Sequence, residues 1–173
     1  MNVSEYVYHR LVNYSLEVIM VVREGDKAPG FKEEEGVVFP ILASYYGNKN
    51  VVLYFYPKDD TPGCTKEAEG FRDANDKFAN LNTAVVGVSR DSITSHENFK
   101  KKYQLPFELI ADEEAILAKA YGVWVEKSMF GKCYMGIERS TFLIDKCGIL
   151  KRIWRNVKVH DHVDTVLKAV NEL

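Results

Sequence analysis

The sequence has few cysteines for its length, and no two of them form a CxxC pair. Three cysteines, Cys64, Cys133 and Cys147, occur among 173 residues. A disulfide scaffold needs more cysteines, and a general disulfide oxidoreductase needs the CxxC pair. Because a small, odd count is typical of proteins from reducing compartments, we expect a cytoplasmic location.

Long apolar runs, charge of one sign and glycine-rich phosphate motifs are also missing. No apolar stretch approaches the roughly 18 residues of a membrane span. The 23 basic and 25 acidic residues are mixed along the chain and offer no basic surface to a nucleic acid. Neither G-x-x-x-x-G-K-[ST] nor G-x-G-x-x-G occurs, so nucleotide binding has no support. These absences predict a soluble globular protein that binds neither membranes nor nucleic acids.

The first 22 residues differ from the rest of the chain. Charged residues interrupt the apolar stretch, so the segment does not fit a secretory signal. Apolar residues spaced three or four apart are typical of an amphipathic helix, although a strand over 16–22 also fits. We interpret 1–22 as an N-terminal extension that packs on the domain or on a second subunit. A true start at Met20 explains the segment equally well.

From residue 23 onward, strand and helix patterns alternate, and we assign 23–173 to a single domain. The sequence predicts strands over 51–56, 84–88, 107–111, 141–145 and 149–154, and helices over 62–81, 92–103, 113–121 and 163–173. The first two strands are almost entirely apolar, which is typical of strands buried on both faces. The order predicts an α/β fold with a central mixed β-sheet flanked by helices, whose last two strands form an antiparallel hairpin.

Four other side chains are assigned structural roles. His160 and His162 lie beside an aspartate, but a third ligand is missing, so we interpret them as surface residues rather than metal ligands. Trp124 and Phe130 would suit an apolar entrance to a site, but we assign both to core packing.

Cys64 ends the stretch Thr61-Pro62-Gly63-Cys64, which lies between a predicted strand and a predicted helix. Thr61 suits the N-cap and Pro62 the first helical position, which places Cys64 in the first turn. Free N–H groups and the positive end of the helix dipole favour a thiolate there, and the thiolate is the nucleophilic form. Free cysteine is also one of the most buried residue types, so packing under the sheet is the competing interpretation.

The residues around Cys64 resemble the active-site segment of the peroxiredoxins. The stretch YFYPKDDTPGCTKEA meets the pattern P-x-x-x-T-x-x-C with Pro57, Thr61 and Cys64, and Glu67 follows three positions later. Four further blocks, GVSRDSITSHENF, LPFELIAD, LAKAYGV and YMGIERSTFLID, are similar to the bacterioferritin comigratory protein (Q-type) subfamily. The resemblance runs from Gly25 to the C-terminus and is weak over 31–48.

This resemblance implies a thioredoxin-like fold and a thiol peroxidase that uses no metal, haem or flavin. Cys64 would be the peroxidatic cysteine, whose thiolate attacks a peroxide oxygen and becomes a sulfenic acid. Arg139, in the block GIERSTF, would hold the thiolate and the peroxide, and Glu67 would orient Arg139. Taken alone, Arg139 is more typical of a solvated or ion-paired surface residue, and Glu67 of an ordinary acid in a first helical turn.

Pro57, Thr61 and Gly63 receive supporting roles from the same resemblance. The hydroxyl of Thr61 and the backbone N–H groups of Gly63 and Cys64 would donate hydrogen bonds to the peroxide oxygens. Pro57 would shield the sulfur from water. If Cys64 were inert, Thr61 would be only a helix cap.

The chain departs from its subfamily five residues after Cys64. Many members carry a resolving cysteine there, whereas this chain has Glu69. Cys133, just before the strand that carries Arg139, is the candidate replacement, and Cys147, in the turn at the far end of the predicted hairpin, is the less favoured one. A disulfide with Cys64 would need Cα atoms within about 7 Å. The larger expectation is a one-cysteine cycle in which thioredoxin or another thiol reduces the sulfenic acid.

Function and assembly keep alternatives at this stage. A thiol peroxidase that reduces hydrogen peroxide and organic hydroperoxides is favoured over a non-enzymatic peroxide sensor or redox relay. An inert structural protein on the same fold is the third alternative. We expect a monomer or a homodimer.

Overall fold

Helices and strands alternate along the chain, in a computed structural model that describes residues 21–33 and 36–173. The features predicted for 1–20, including Met20, lie outside these residues. In chain order the elements are α1 (Pro40–Tyr45), β1 (Asn50–Phe55), α2 (Pro62–Asp73), α3 (Asn75–Asn80), β2 (Thr83–Ser89), α4 (Ile93–Tyr103), β3 (Glu108–Ala111), α5 (Ile116–Ala120), β4 (Trp124–Met129), β5 (Lys132–Ile137), β6 (Ser140–Ile144), β7 (Leu150–Trp154) and α6 (His162–Asn171).

The central sheet has five strands in the order β3-β2-β1-β6-β7. β1, β2 and β3 pair in parallel, as strands joined by helical crossovers do. β6 pairs antiparallel with both β1 and β7. The predicted α/β fold with a central mixed sheet is confirmed, and the predicted hairpin of 141–145 and 149–154 is its antiparallel part.

β1 lies at the centre of the sheet and sends alternate side chains to two separate cores. Val51, Leu53 and Phe55 face the core that also contains residues of α1 and α5. Val52 and Tyr54 face the opposite core, which is covered by α2, α3, α4 and α6. Both faces are therefore buried, which explains why this strand is apolar at every position rather than at alternate positions. No helix among the described residues is long and apolar enough to cross a membrane.

The single helix predicted over 62–81 is wrong in one respect, since α2 ends at Asp73 and α3 begins at Asn75. Ala74 lies between them with φ −95° and ψ 0°, at the edge of the helical region. Asp and Asn flank this position, and their short polar side chains compete with helical hydrogen bonding. The apolar spacing continues through the break, which is why the sequence suggested one helix.

The antiparallel hairpin of β4 and β5 was not predicted. Its two-residue turn, Phe130-Gly131, has positive φ at both positions, as a type I′ turn requires. Phe is an unusual residue there, so the Asn-Gly or Gly-Gly signal of such hairpins is absent. The assignment of Phe130 to the core is wrong, because its side chain lies at the turn and is 98% exposed. Trp124 is half-buried and carries the guanidinium of Arg90 over its ring.

The assignment of His162 to the surface is also wrong, whereas His160 is exposed as expected. His162 is buried beside β6, where its Nε2 lies 2.8 Å from the hydroxyl oxygen of Thr141. Its ring meets Phe71 and Trp154 edge to face. Burial, assisted by the positive charge of Arg139, lowers the pKa of His162 to about 4. The ring is therefore neutral at physiological pH.

The absence of a side chain at Gly87 makes room for Tyr54, its pairing partner in β1. A Cβ atom added at Gly87 would lie 2.7 Å from Cδ2 of Leu109 and 2.9 Å from Cζ of Tyr54. We expect Gly87→Ala to lower the free energy of unfolding by about 1–3 kcal/mol, because a packed core must shift to accept the methyl group. Urea unfolding measures this. Ala84→Ser, at a half-buried position of the same strand, should change stability by less than about 0.5 kcal/mol, and equal stability of the two variants would contradict the packing argument.

The buried neutral His162 should make stability fall in mild acid. Between pH 6.5 and about 4 the unfolded chain binds a proton at this ring and the folded chain does not. Stability is therefore complete above pH 6.5 and declines by up to roughly 3 kcal/mol as the pH falls towards 4. His162→Gln keeps a polar group near Thr141 but cannot titrate, so its urea unfolding should lose less stability over this range. Equal losses in both proteins would refute the assignment.

Candidate functional site

Cys64 lies in the first turn of α2, as the sequence predicted. Thr61 is at the N-cap with extended backbone, and Pro62 occupies the first helical position. The hydroxyl of Thr61 does not cap the helix, because it donates instead to the carbonyl of Lys58 at 2.8 Å. The predicted N-cap position of Thr61 is confirmed, although its side chain makes no capping hydrogen bond.

Arg139 joins Cys64 to Glu67 although it lies more than seventy residues away in the sequence. Its Nη2 is 3.4 Å from the sulfur of Cys64, and its Nη1 is 2.5 Å from Oε2 of Glu67. Cys64 is 1% exposed and packs within the core under α2. Burial alone would agree with an inert cysteine that only packs in the core. The guanidinium beside the sulfur does not agree with that interpretation, because an apolar packing site would not contain a cation.

Burial and the neighbouring charges shift the pKa values of Glu67 and Arg139 in this cluster. Burial raises the pKa of Glu67 to about 7, against the opposing effect of Arg139. Its second oxygen, Oε1, has no hydrogen-bond partner among the described residues. Burial disfavours the charged form of Arg139, but Glu67 and Cys64 outweigh it and raise the pKa of Arg139 above its ordinary value. Arg139 therefore stays a cation held between two acidic groups.

The remaining residues of the predicted site, in the loop before α2 and in its first turn, are more exposed than Cys64. A Cβ atom added at Gly63 would lie 3.3 Å from Nη2 of Arg139, so the glycine allows the guanidinium to approach the start of the helix. Pro57 begins the loop that follows β1 and is exposed, as is Gly63.

The other two cysteines are free and exposed. Cys133 pairs with Ser128 next to the turn of the β4–β5 hairpin, four residues before Ile137, or about 13 Å along an extended strand. Cys147 lies in the turn after β6, near the first residues of β1, whereas Cys64 follows the last. β1 is about 20 Å long at the usual rise per residue, so Cys147 and Cys64 belong to opposite ends of the sheet.

Sequence reasoning missed a buried polar network behind the loop of residues 57–61. One carboxylate oxygen each of Asp59 and Asp91 and one ring nitrogen of His96 lie within 4.8 Å of one another, a spacing that would also suit a metal ion. Hydrogen bonds within the protein already use these atoms, so we assign no metal to them. The adjacent acids of KDD and the histidine of DSITSHENF were visible, but nothing in the sequence indicated that they meet.

Lys127 of β4 is the second residue that was missed. Its Nζ donates a hydrogen bond to the carbonyl of Ile137, the last residue of β5 and two residues before Arg139. Burial, followed by the charge of Arg139, lowers the pKa of Lys127. The hairpin therefore brings a second cation to the neighbourhood of Cys64.

Residues 24–153 match the AhpC/TSA family. Over 154 residues the chain is 50% identical to peroxiredoxin Bcp of Bacillus subtilis, covering 89% of this chain and 98% of that protein. The chain belongs to the AhpC/TSA family, as a peroxiredoxin of the Bcp and Q type. The resemblance stated from the sequence motifs is thereby confirmed.

Solved structures of this peroxiredoxin type share the fold. A cysteine-to-serine mutant of PrxQ from Xylella fastidiosa is 38% identical with a TM-score of 0.78, covering 87% of this chain and 96% of that one. A structure from a study of alkyl peroxide reduction by the bacterioferritin comigratory protein of Xanthomonas campestris is 44% identical. It has a TM-score of 0.72 and covers 76% of this chain and 83% of that one. The predicted thioredoxin-like peroxiredoxin fold is confirmed.

The approach of Arg139 to the start of α2 should be sensitive to one methyl group. In Gly63→Ala the new Cβ would press on Nη2, so the guanidinium must move by a few tenths of an ångström. We expect the rate of Cys64 oxidation by hydrogen peroxide to fall about threefold to tenfold, since misplacement of a reacting group is costly. Quenched-flow mass spectrometry measures the rate. Lys66→Ala, an exposed position in the same turn, is the control and should react like the wild type; equal rates for Gly63→Ala would contradict this role of the glycine.

Proposed function

We propose that Cys64 carries the thiol peroxidase activity of this peroxiredoxin, with hydrogen peroxide and organic hydroperoxides as substrates. The observation that carries the proposal is the 3.4 Å contact between Nη2 of Arg139 and the sulfur of Cys64. A guanidinium at this distance can pair with the negative charge of the thiolate, which is the form that attacks a peroxide. The first turn of α2 adds free backbone N–H groups around the same sulfur.

The reaction is a displacement at oxygen. The thiolate of Cys64 donates an electron pair to one peroxide oxygen, the sulfur–oxygen bond forms and the oxygen–oxygen bond breaks. The departing oxygen takes the bonding pair and then a proton, and leaves as water or an alcohol. Cys64 is oxidised to the sulfenic acid while the peroxide is reduced. Negative charge moves from sulfur to the departing oxygen, so a donor such as Arg139 is useful throughout the step.

Four neighbours of Cys64 receive supporting roles in the proposal. Glu67 fixes the direction of Arg139 through their ion pair. The N–H group of Gly63 and the hydroxyl of Thr61 act as donors to the peroxide, for which the Thr61 hydroxyl must exchange its present acceptor, the carbonyl of Lys58. Pro57 limits the access of water to the sulfur from the loop.

The catalytic cycle that we propose uses one cysteine of this chain. Glu69 occupies the position five residues after Cys64 and forms an ion pair with Arg72. Cys133, the candidate resolving cysteine, lies by the hairpin turn and is exposed. A thiol from another molecule, thioredoxin or a small thiol, therefore attacks the sulfenic sulfur and displaces its oxygen as water. A second thiol then reduces the mixed disulfide and frees the Cys64 thiol.

The setting of the enzyme is part of the same proposal. The small number of cysteines favours a reducing compartment such as the cytoplasm. The chain acts as a monomer or homodimer, in which residues 1–22 form an extension to the domain of 23–173. Light scattering on the chain with and without 1–22 tests whether this extension contributes to assembly.

Mapping the oxidation products of Cys64 tests the proposed cycle. After one equivalent of hydrogen peroxide, we expect a sulfenic acid on Cys64 and no internal disulfide in the wild type, Cys133→Ser and Cys147→Ser alike. Excess peroxide should then convert Cys64 to the sulfinic acid, since no thiol of the chain traps the intermediate.

Arg139→Lys keeps the charge but loses the planar fork, and its Cys64 should react with hydrogen peroxide about tenfold or more slowly.

Other products would point to other mechanisms. A Cys64 disulfide that disappears in Cys133→Ser would identify Cys133 as the resolving cysteine and overturn the one-cysteine cycle. Oxidation of Cys64 without turnover on added thiol would favour the peroxide sensor. A Cys64 that stays a free thiol would overturn the assignment of the activity to this residue.

A further inference from the structure

The loop of residues 57–61 determines where α2 begins, and α4 holds this loop through two consecutive acids. Asp60 accepts hydrogen bonds from Nζ of Lys102 at 2.7 Å and from the hydroxyl of Tyr103, at the exposed end of α4. Asp59 accepts hydrogen bonds from the first turn of α4, in the protein interior. The start of α2, and with it Cys64, is therefore positioned by side chains that never touch the sulfur.

We propose that the buried ion pair of Asp59 and His96 positions the loop that leads to Cys64, and that full peroxidase activity requires a protonated His96. The inference rests on the proposed role of Cys64 and adds two positioning residues to it. Each of the two residues is almost fully buried, at 7% and 3% exposure.

Asp59 has the environment of an ionised carboxylate. Its Oδ1 accepts from the hydroxyl of Tyr56 at 2.6 Å, and its Oδ2 lies 2.8 Å from both the hydroxyl of Ser95 and Nδ1 of His96. Its backbone N–H also donates to Oδ2 of Asp91 at 2.9 Å. Three donors around one buried carboxylate favour its negative form and fix both the side chain and the backbone of the loop.

The surroundings of His96 require a proton on both ring nitrogens. Nδ1 faces the Asp59 carboxylate, and Nε2 lies 3.1 Å from the carbonyl oxygen of Ile110. Both neighbours are acceptors. A neutral imidazole carries only one N–H, so one of the two contacts would bring a lone pair against an oxygen. Only the imidazolium satisfies both, and it thereby connects the loop to β3 through α4.

The charged groups around the ring agree with this protonation state. Burial acts to lower the pKa of His96, but Asp59, the Ile110 carbonyl and Asp91 raise it above the ordinary value of 6.5. Burial acts to raise the pKa of Asp59, but hydrogen bonds from His96, Tyr56 and Ser95 lower it. The proton leaves His96 as the pH rises through its raised pKa, so the attachment of the loop weakens on the alkaline side.

Two amide substitutions separate the two contacts of His96. His96→Asn places its amide nitrogen near the former Nδ1 and keeps a donor to Asp59, whereas His96→Gln reaches the former Nε2 and keeps a donor to Ile110. Neither side chain titrates. Lys100→Gln is the control, because it removes an exposed ion pair between α4 and Glu108 of β3 and leaves the loop contacts intact.

Stopped-flow or quenched-flow kinetics of each protein with hydrogen peroxide give the second-order rate constant of Cys64 oxidation. We expect His96→Gln and Asp59→Asn to be slower by about tenfold or more, His96→Asn to stay within about threefold, and the control to equal the wild type. The wild-type rate should decline at alkaline pH, and His96→Asn should lack this decline. In the wild type, long-range ¹H–¹⁵N spectra at pH 7 should show His96 protonated at both ring nitrogens.

The outcomes distinguish the inference from the function on which it rests. If the wild type oxidises Cys64 but His96→Gln is as fast, or if the ring of His96 is neutral at pH 7, the inference is overturned. The same holds if His96→Asn, which cannot titrate, keeps the alkaline decline. If wild-type Cys64 does not react with peroxide at all, the proposed function fails instead, and the ring spectra still decide whether the ion pair exists. Should His96→Gln not fold, the alkaline limb of His96→Asn and the rate of Asp59→Asn carry the test.

Discussion

The guanidinium of Arg139 lies between the sulfur of Cys64 and the carboxylate of Glu67, and the rest of the site depends on this bridge. Its position follows from the sheet. β1 and β6 pair so that Phe55 is opposite Ser140, which sets Arg139 level with the beginning of the loop that leads to Cys64. Antiparallel pairing of these two strands therefore brings together two parts of the chain that are distant in sequence, and a slip of one residue would remove the bridge.

The bridge is effective because it is largely hidden from water. Charges that are shielded from solvent interact more strongly than exposed ones, and they are also more expensive to bury. Glu67 shows the cost in its pKa, which burial raises to about 7 despite the adjacent arginine. A cluster of this kind contributes little to the stability of the fold, so its presence agrees better with the role proposed for Cys64 than with packing.

The start of α2, which carries Cys64, is also held by contacts from α4. The helix α4 binds the loop before α2 with a buried acid, Asp59, and an exposed one, Asp60. The strand β1, the loop and α4 thus form a continuous set of contacts from the sheet to the start of α2. The geometry at Cys64 is held from the β6 side by Arg139 and from the α4 side by the Asp59–His96 pair.

The sequence by itself determined the features that depend on neighbouring residues along the chain. Apolar runs predicted the buried strands, Pro62 and its neighbours predicted the start of α2, and the motif around Cys64 predicted the family. The β4–β5 hairpin was missed because Phe130 gives no turn signal, and His162 was misplaced because burial of a polar ring depends on partners that are distant in sequence. The resemblance already implied that Glu67 orients Arg139, and strand pairing explains how the two residues meet. Only the tertiary structure decided that Asp59 meets His96, because the two lie on different elements. The separation of Cys147 from Cys64 by the length of the sheet was likewise a result of strand pairing.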